Sequence, residues 1–162
     1  ASQGRVSALA LSSPFFGLKI PVPAWKRGLG RLASVVYPGL SLPSDLDPAC
    51  LSHDPQVVAA YVSDPLVSRV ATARWFTEAM TAQHVIRERA PRLAVPLLLM
   101  HGGDDAIADP AASQAFFDRV KAKEKVLTLY PGLFHEIFNE RDDARQQVLT
   151  DLAAWLQRRS RA

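Results

Sequence analysis

The sequence runs to 162 residues, 48% of them apolar and 22% charged, with a net charge of +3. That length is enough for one ordinary domain with a real core, and the composition excludes a disordered chain. The positive charge is small and scattered, so no nucleic-acid-binding face is expected; the closing "RRSRA" suits the last turn of a helix instead.

In chain order, the opening "ASQGRVSALALSS" has none of the charged region, apolar core and cleavage site of a secretory signal. Val6–Leu11 ("VSALAL") has the length and composition of a strand buried on both faces in a parallel sheet. From Pro14 to Pro96 the character changes, and all 12 prolines except Pro110 and Pro131 fall in that stretch. No convincing strand is expected there. Trp25, Leu29, Leu32, Ala33 and Val36 make one amphipathic helical face, and Val57, Val58 and Tyr61 begin a second. Arg74 to Arg89 reads as a third helix, with Phe76, Met80 and Ile86 as apolar contacts. No apolar run reaches the roughly 18 residues of a membrane span. The single Cys50 excludes an internal disulfide and a multi-cysteine zinc site, reads as a small packing residue, and is compatible with a reducing compartment.

Beyond the proline-rich stretch, Val95–Met100 ("VPLLLM") and Val126–Tyr130 ("VLTLY") read as buried strands. Between them Asp109 and Pro110 form a helix start, and Ala112, Phe116, Phe117 and Val120 form its apolar face. Val148, Leu149, Leu152, Trp155 and Leu156 recur at helical spacing after the last strand. Strand–helix–strand–helix alternation predicts an α/β layered fold. The domain plan is therefore a core strand in 1–13, a helical cap in 14–93, and an α/β core in 94–162.

Function in parallel α/β sheets collects on the loops beyond the strands' C-terminal ends. "HGGDDAIAD" follows one strand and "PGLFHEIFNE" the next, so adjacent strands would bring an aspartate and His135 together. A carboxylate there can fix one imidazole tautomer and stabilise its cation during proton transfer. Asp109 is accounted for as a helix cap, and spacing does not choose between Asp104 and Asp105. A metal reading of His101, Asp104, Asp105 and Asp109 lacks any ligand-spacing motif. His53 and His84 read as surface or packing residues.

Both turns carry a family pattern. His101-Gly102-x-x-Asp105 and Tyr130-x-Gly132-x-x-His135 resemble the C-terminal part of the α/β-hydrolase fold, in its monoacylglycerol lipase and lysophospholipase branch, also grouped with the serine aminopeptidase-like hydrolases. "LALSSPFFGL" and "SDPLVSRVATARWFTE" resemble the strand entering the cap and a cap segment of that branch. The resemblance implies a mostly parallel sheet flanked by helices with a helical cap, Asp105 as the orienting acid, His135 as the general base, and ester hydrolysis by a Ser-Asp-His triad. It implies a lipid or small-ester substrate, no metal or organic cofactor, a cytoplasmic location, and a cap that is the surface for any peripheral membrane contact. It also implies a G-x-S-x-G nucleophile elbow ahead of Asp105. These 162 residues contain none, and Ser12-Ser13 lacks both glycines. The first half of the hydrolase, with its oxyanion donors, is therefore expected to lie outside this sequence, leaving the chain inactive alone. A peptidase or small-ester esterase, and a non-catalytic binding module without an elbow, are the alternatives.

Overall fold

The computed structural model describes residues 6–19, 22–44 and 46–160, without the side chain of Lys26. The first five residues and Arg161–Ala162, which begin the 1–13 segment and end "RRSRA", lie outside them.

At the centre is β4 (Leu97–Gly102), every residue of which is buried. Such a run needs cover on both faces, and the fold supplies it. β4 lies between β1 (Leu9–Ser12) and β5 (Lys125–Tyr130) in an all-parallel sheet of order β1-β4-β5. Leu97 and Leu99 point to one side, against Phe16, Ala90, Phe116 and Val120. Leu98 and Met100 point to the other, against Tyr130, Ile137, Val148 and Trp155. Phe116 belongs to α4 (Pro110–Arg119), Val148 and Trp155 to α5 (Asp142–Ser160), so the layers run helix, sheet, helix. Asp109 caps α4 by accepting from the Ala111 N–H at 3.0 Å, and Pro110 takes the first helical position. Arg158 and Arg159 close α5, on the favourable end of its dipole. Leu149 and Leu156, expected on the apolar face of α5, are exposed.

Strand limits differ from expectation by a few residues. β1 starts at Leu9 rather than Val6 and extends to Ser12; β4 starts after Pro96, which has no N–H for a ladder, and runs on through His101 and Gly102. Among the described residues β1 has β4 on one edge and no strand on the other.

The intervening segment holds α1 (Ala24–Val36), α2 (Pro55–Ser63) and α3 (Ala73–Arg89). It also holds two strands that the sequence does not reveal, β2 (Ser41–Pro43) and β3 (Val70–Thr72), paired antiparallel with Ser41 opposite Thr72. Three residues are too few to show a period, and Pro43 at the edge of a small ribbon loses no ladder bond it needs. Thr72 ends β3 and caps α3, its hydroxyl accepting from the Trp75 N–H at 3.1 Å. α1 and α3 are joined by Thr77 Oγ1 donating to Ser34 Oγ at 2.8 Å. The apolar stripe of α1 is turned to solvent, Trp25 being 63% and Val36 74% exposed. Buried Gln83 of α3 donates to the Phe15 carbonyl at 3.0 Å, fastening these helices to the loop after β1. No described helix is long and apolar enough to cross a membrane.

Candidate active site

β4 and β5 run parallel, with Gly102 opposite Tyr130, so the chains leaving them emerge side by side. Two local devices press those exits together. On the β4 side, a Cβ at Gly102 would lie 2.1 Å from the Phe134 carbonyl oxygen and 2.5 Å from that of Leu133, so only glycine fits. Gly103 N–H then donates to Tyr130 O at 2.7 Å and Asp104 N–H to Leu133 O at 3.0 Å. On the β5 side, Pro131-Gly132 makes a tight turn closed by Leu133 N–H to Tyr130 O at 3.2 Å. Gly132 has φ of 78°, the value required of the third residue of a type II turn.

The result is that His135 Nδ1 donates to Asp105 Oδ2 at 2.7 Å. Asp105 is 1% exposed and fully bonded: Oδ2 also receives His101 Nε2 at 3.0 Å, and Oδ1 receives the N–H groups of Ile107 and Ala108 at 2.8 and 2.9 Å. Burial opposes its ionisation, but the bonds from His101, His135 and Ile107 outweigh that and hold the carboxyl well below the usual carboxylate range. The side chain of His135 is 25% exposed, and its Nε2 has no hydrogen-bond partner among the described residues. An imidazole with its Nδ1–H tied to a carboxylate presents a basic Nε2, the arrangement needed to accept a proton from a nucleophile.

The other aspartates separate clearly. Asp104, next to Asp105, is exposed. Asp109 caps α4 and lies 3.7 Å from Lys19 Nζ. His101 meets Asp105 but points its other nitrogen at Ser113. Among the described residues no three His, Cys, Asp or Glu side chains converge as metal ligands would. His84 is exposed beside a cavity of about 210 Å³ between α1 and α3, lined also by Arg27, Arg31, Phe76 and Met80.

Three features around the site were not legible in the sequence. Ser13 directly follows β1, with φ of 39°, and its buried Oγ has no partner among the described residues. Ser113 looks like any helix serine. Glu140, 1% exposed, clamps the His135 loop to the cap. It accepts from Phe134 N–H at 2.8 Å, His53 N–H at 3.0 Å and His53 Nδ1 at 3.0 Å. His53 also stacks on Phe134 with ring centroids 3.7 Å apart, a more specific role than packing. Nearby, Ser52 Oγ donates to Asn139 O at 2.7 Å and Glu136 N–H to Leu51 O at 2.8 Å. These partners are 87 residues apart in sequence for Ser52 and Asn139, too far for a local pattern to register. Burial pushes the Glu140 carboxyl up, while the Phe134 and His53 bonds bring it, on balance, below its ordinary value. Glu140→Ala orphans two backbone donors and is expected to cost roughly 2–4 kcal/mol in urea unfolding at pH 7. A group with a depressed folded pKa stabilises above its unfolded pKa and loses that contribution as pH falls, so the deficit should shrink as pH is lowered through the carboxylate range. No deficit at pH 7, or one that grows on acidification, would contradict this role.

The family model for serine aminopeptidase, S33, matches residues 1–142. A monoacylglycerol lipase of Mycolicibacterium smegmatis is 35% identical over 158 residues, which is 94% of this chain and 54% of that protein. The chain therefore spans about half the length of that relative. The crystal structure of Paleococcus ferrophilus monoacylglycerol lipase superposes with a TM-score of 0.87 at 28% identity, over 94% of this chain and 59% of that one. A soluble variant of monoglyceride lipase from Saccharomyces cerevisiae, in complex with a substrate analog, gives 0.83 at 25% identity, over 97% of this chain and 55% of that one.

Proposed function

The chain belongs to the serine aminopeptidase S33 family, in the monoacylglycerol lipase branch of the α/β hydrolases, and from that premise we propose that it supplies the acid, the base and the cap of a serine ester hydrolase. Asp105 is the orienting acid and His135 the general base. The nucleophile is a serine upstream of Ala1, because no G-x-S-x-G occurs in these 162 residues. His135 Nε2 takes the serine proton as Oγ attacks the ester carbonyl. It then returns that proton to the departing alcohol, and a water repeats the cycle on the acyl-enzyme. Asp105 stays ionised throughout, stabilising the imidazolium that forms at each step.

The observation carrying this reading is the 2.7 Å bond from His135 Nδ1 to a buried, four-fold hydrogen-bonded Asp105, with Nε2 left unpartnered at the adjoining strand ends. The substrate proposed is a monoacylglycerol, supported by similarity to monoacylglycerol and monoglyceride lipases, with a lysophospholipid as the second candidate. The residues 14–93 act as the lid. The cavity of about 210 Å³ beside Phe76 and Met80 is smaller than the roughly 300 Å³ where ligand sites begin, so an acyl chain needs further walls from the upstream core. The test is hydrolysis of a monoacylglycerol by the protein expressed from its full reading frame. Turnover that His135→Ala abolishes supports the reading; a purified, folded protein without turnover on long or short esters points to a binding module instead. Phe76→Ala should lower kcat/KM for long-chain esters about tenfold, through lost apolar contact, with less than twofold effect on a short soluble ester. Equal losses on both, at unchanged melting temperature, would remove Phe76 from the acyl site.

A further inference from the structure

His101 lies at the end of β4 with no exposed surface, four residues before Asp105. Its Nε2 is 3.0 Å from Asp105 Oδ2 and 3.3 Å from the Ala108 carbonyl oxygen. Both neighbours only accept, so Nε2 carries a hydrogen. Its Nδ1 is 2.8 Å from Ser113 Oγ, on a side chain that is also fully buried. Nδ1 is the one partner of that hydroxyl among the described residues, and a buried hydroxyl must place its hydrogen. Ser113 therefore donates, Nδ1 is bare, and His101 is neutral.

A leucine would fill this volume without a polar atom to satisfy. What the ring adds is a second N–H on the same oxygen that receives His135. With Ile107 and Ala108 holding Oδ1, both carboxylate oxygens are fixed, and rotation of the Asp105 side chain would break every one of these bonds. A lysine or arginine in this place would also aim the carboxylate, but its charge would cancel the field that His135 needs when it becomes a cation. A neutral imidazole gives direction with little charge.

We infer that His101, locked in its neutral Nε2–H form by Ser113, is a positioning residue that aims Asp105 Oδ2 at His135. The inference rests on His135 being the base. It makes α4, which carries Ser113, a structural determinant of the site without touching substrate. The titratable group bonded to the His135 ring is Asp105, beyond β4; Cys50 meets His135 through the backbone, its carbonyl receiving the His135 main-chain N–H at 3.5 Å.

The experiment uses the protein from its full reading frame and p-nitrophenyl butyrate. His101→Leu should lower kcat about ten- to a hundredfold, the range for one lost hydrogen bond to a charged group, with KM changed less than about threefold. It should also move the acid limb of kcat/KM to higher pH, because Asp105 with one donor fewer projects more charge onto His135. His101→Gln, which can offer an N–H from nearly the same place, should recover most of the loss and return the limb. In the 15N-labelled wild type at pH 7, the His101 ring should show a proton on Nε2 and none on Nδ1. Wild-type kcat and limb in a folded His101→Leu overturn the inference. So does a limb that moves to lower pH without recovery by Gln, which is what a merely loosened site would give. Should the Leu variant not fold, the wild-type spectrum decides: a cationic ring, or one protonated on Nδ1, overturns it. Turnover indifferent to His135→Ala removes the base assignment and this inference with it. Turnover that needs His135 but ignores His101→Leu removes this inference alone.

Discussion

Asp105→Asn in the full-length protein is expected to lower kcat/KM by about 10⁴, while Asp104→Asn leaves it within about twofold. The two residues are neighbours of identical type, so the contrast isolates geometry from charge. Asp104 is exposed, whereas Asp105 is 1% exposed and meets four donors. An Asn has one accepting and one donating end. With its oxygen kept on the Ile107 and Ala108 N–H groups, its NH2 faces His101 and His135 and forces His135 to accept through Nδ1. The proton then sits on Nε2, where the base should be bare. The fold should survive at neutral pH, since the shape is unchanged, but with lower stability. The depressed pKa of Asp105 means that its ionised form stabilises the fold above the ordinary carboxylate pKa, and that this contribution is lost as pH falls. The stability gap between wild type and Asp105→Asn should therefore narrow below about pH 4. Greater damage from Asp104→Asn would overturn the assignment.

Gly102→Ala is expected to destabilise by more than about 4 kcal/mol, a large part of the 5–15 kcal/mol typical of a domain. The added Cβ would stand 2.1 Å from the Phe134 carbonyl oxygen and 2.5 Å from that of Leu133. Those are backbone atoms of the His135 turn and cannot rotate aside. Relief requires separating the two strand exits, which also parts Asp105 from His135. Gly28 is the control. It sits inside α1 with nothing within 4 Å of its added Cβ, so Gly28→Ala should stabilise by up to about 1 kcal/mol. Urea titrations of both variants read the difference. A Gly102→Ala protein with a wild-type midpoint would mean that the two strand exits part without cost, contrary to this role.

The parts of this fold that local pattern encodes were legible. Six buried residues in a row at β4 need cover on both faces, and Asp109-Pro110 marks a helix start wherever it stands. The convergence of Asp105 and His135 followed from strand adjacency, and the choice of Asp105 over Asp104 came from likeness to a family motif rather than from spacing. What stayed hidden depends on distant contact. β2 and β3 are too short for a period. The α1 stripe reads as core yet faces solvent, because amphipathicity says that a face is apolar and not what covers it. Glu140 and His53 meet only through the three-dimensional path of the chain. The role of Ser113 is visible only once α4 is seen to press it onto His101.

The most direct measurement is covalent. A fluorophosphonate probe on the full-length protein, followed by peptide mass spectrometry, locates the serine whose Oγ displaces fluoride from phosphorus as the base removes its proton. One adduct is expected, on a serine in a G-x-S-x-G segment upstream of Ala1, formed at least about a hundredfold more slowly in His135→Ala. An adduct on any residue within these 162, or labelling that His135→Ala leaves unchanged, would contradict it.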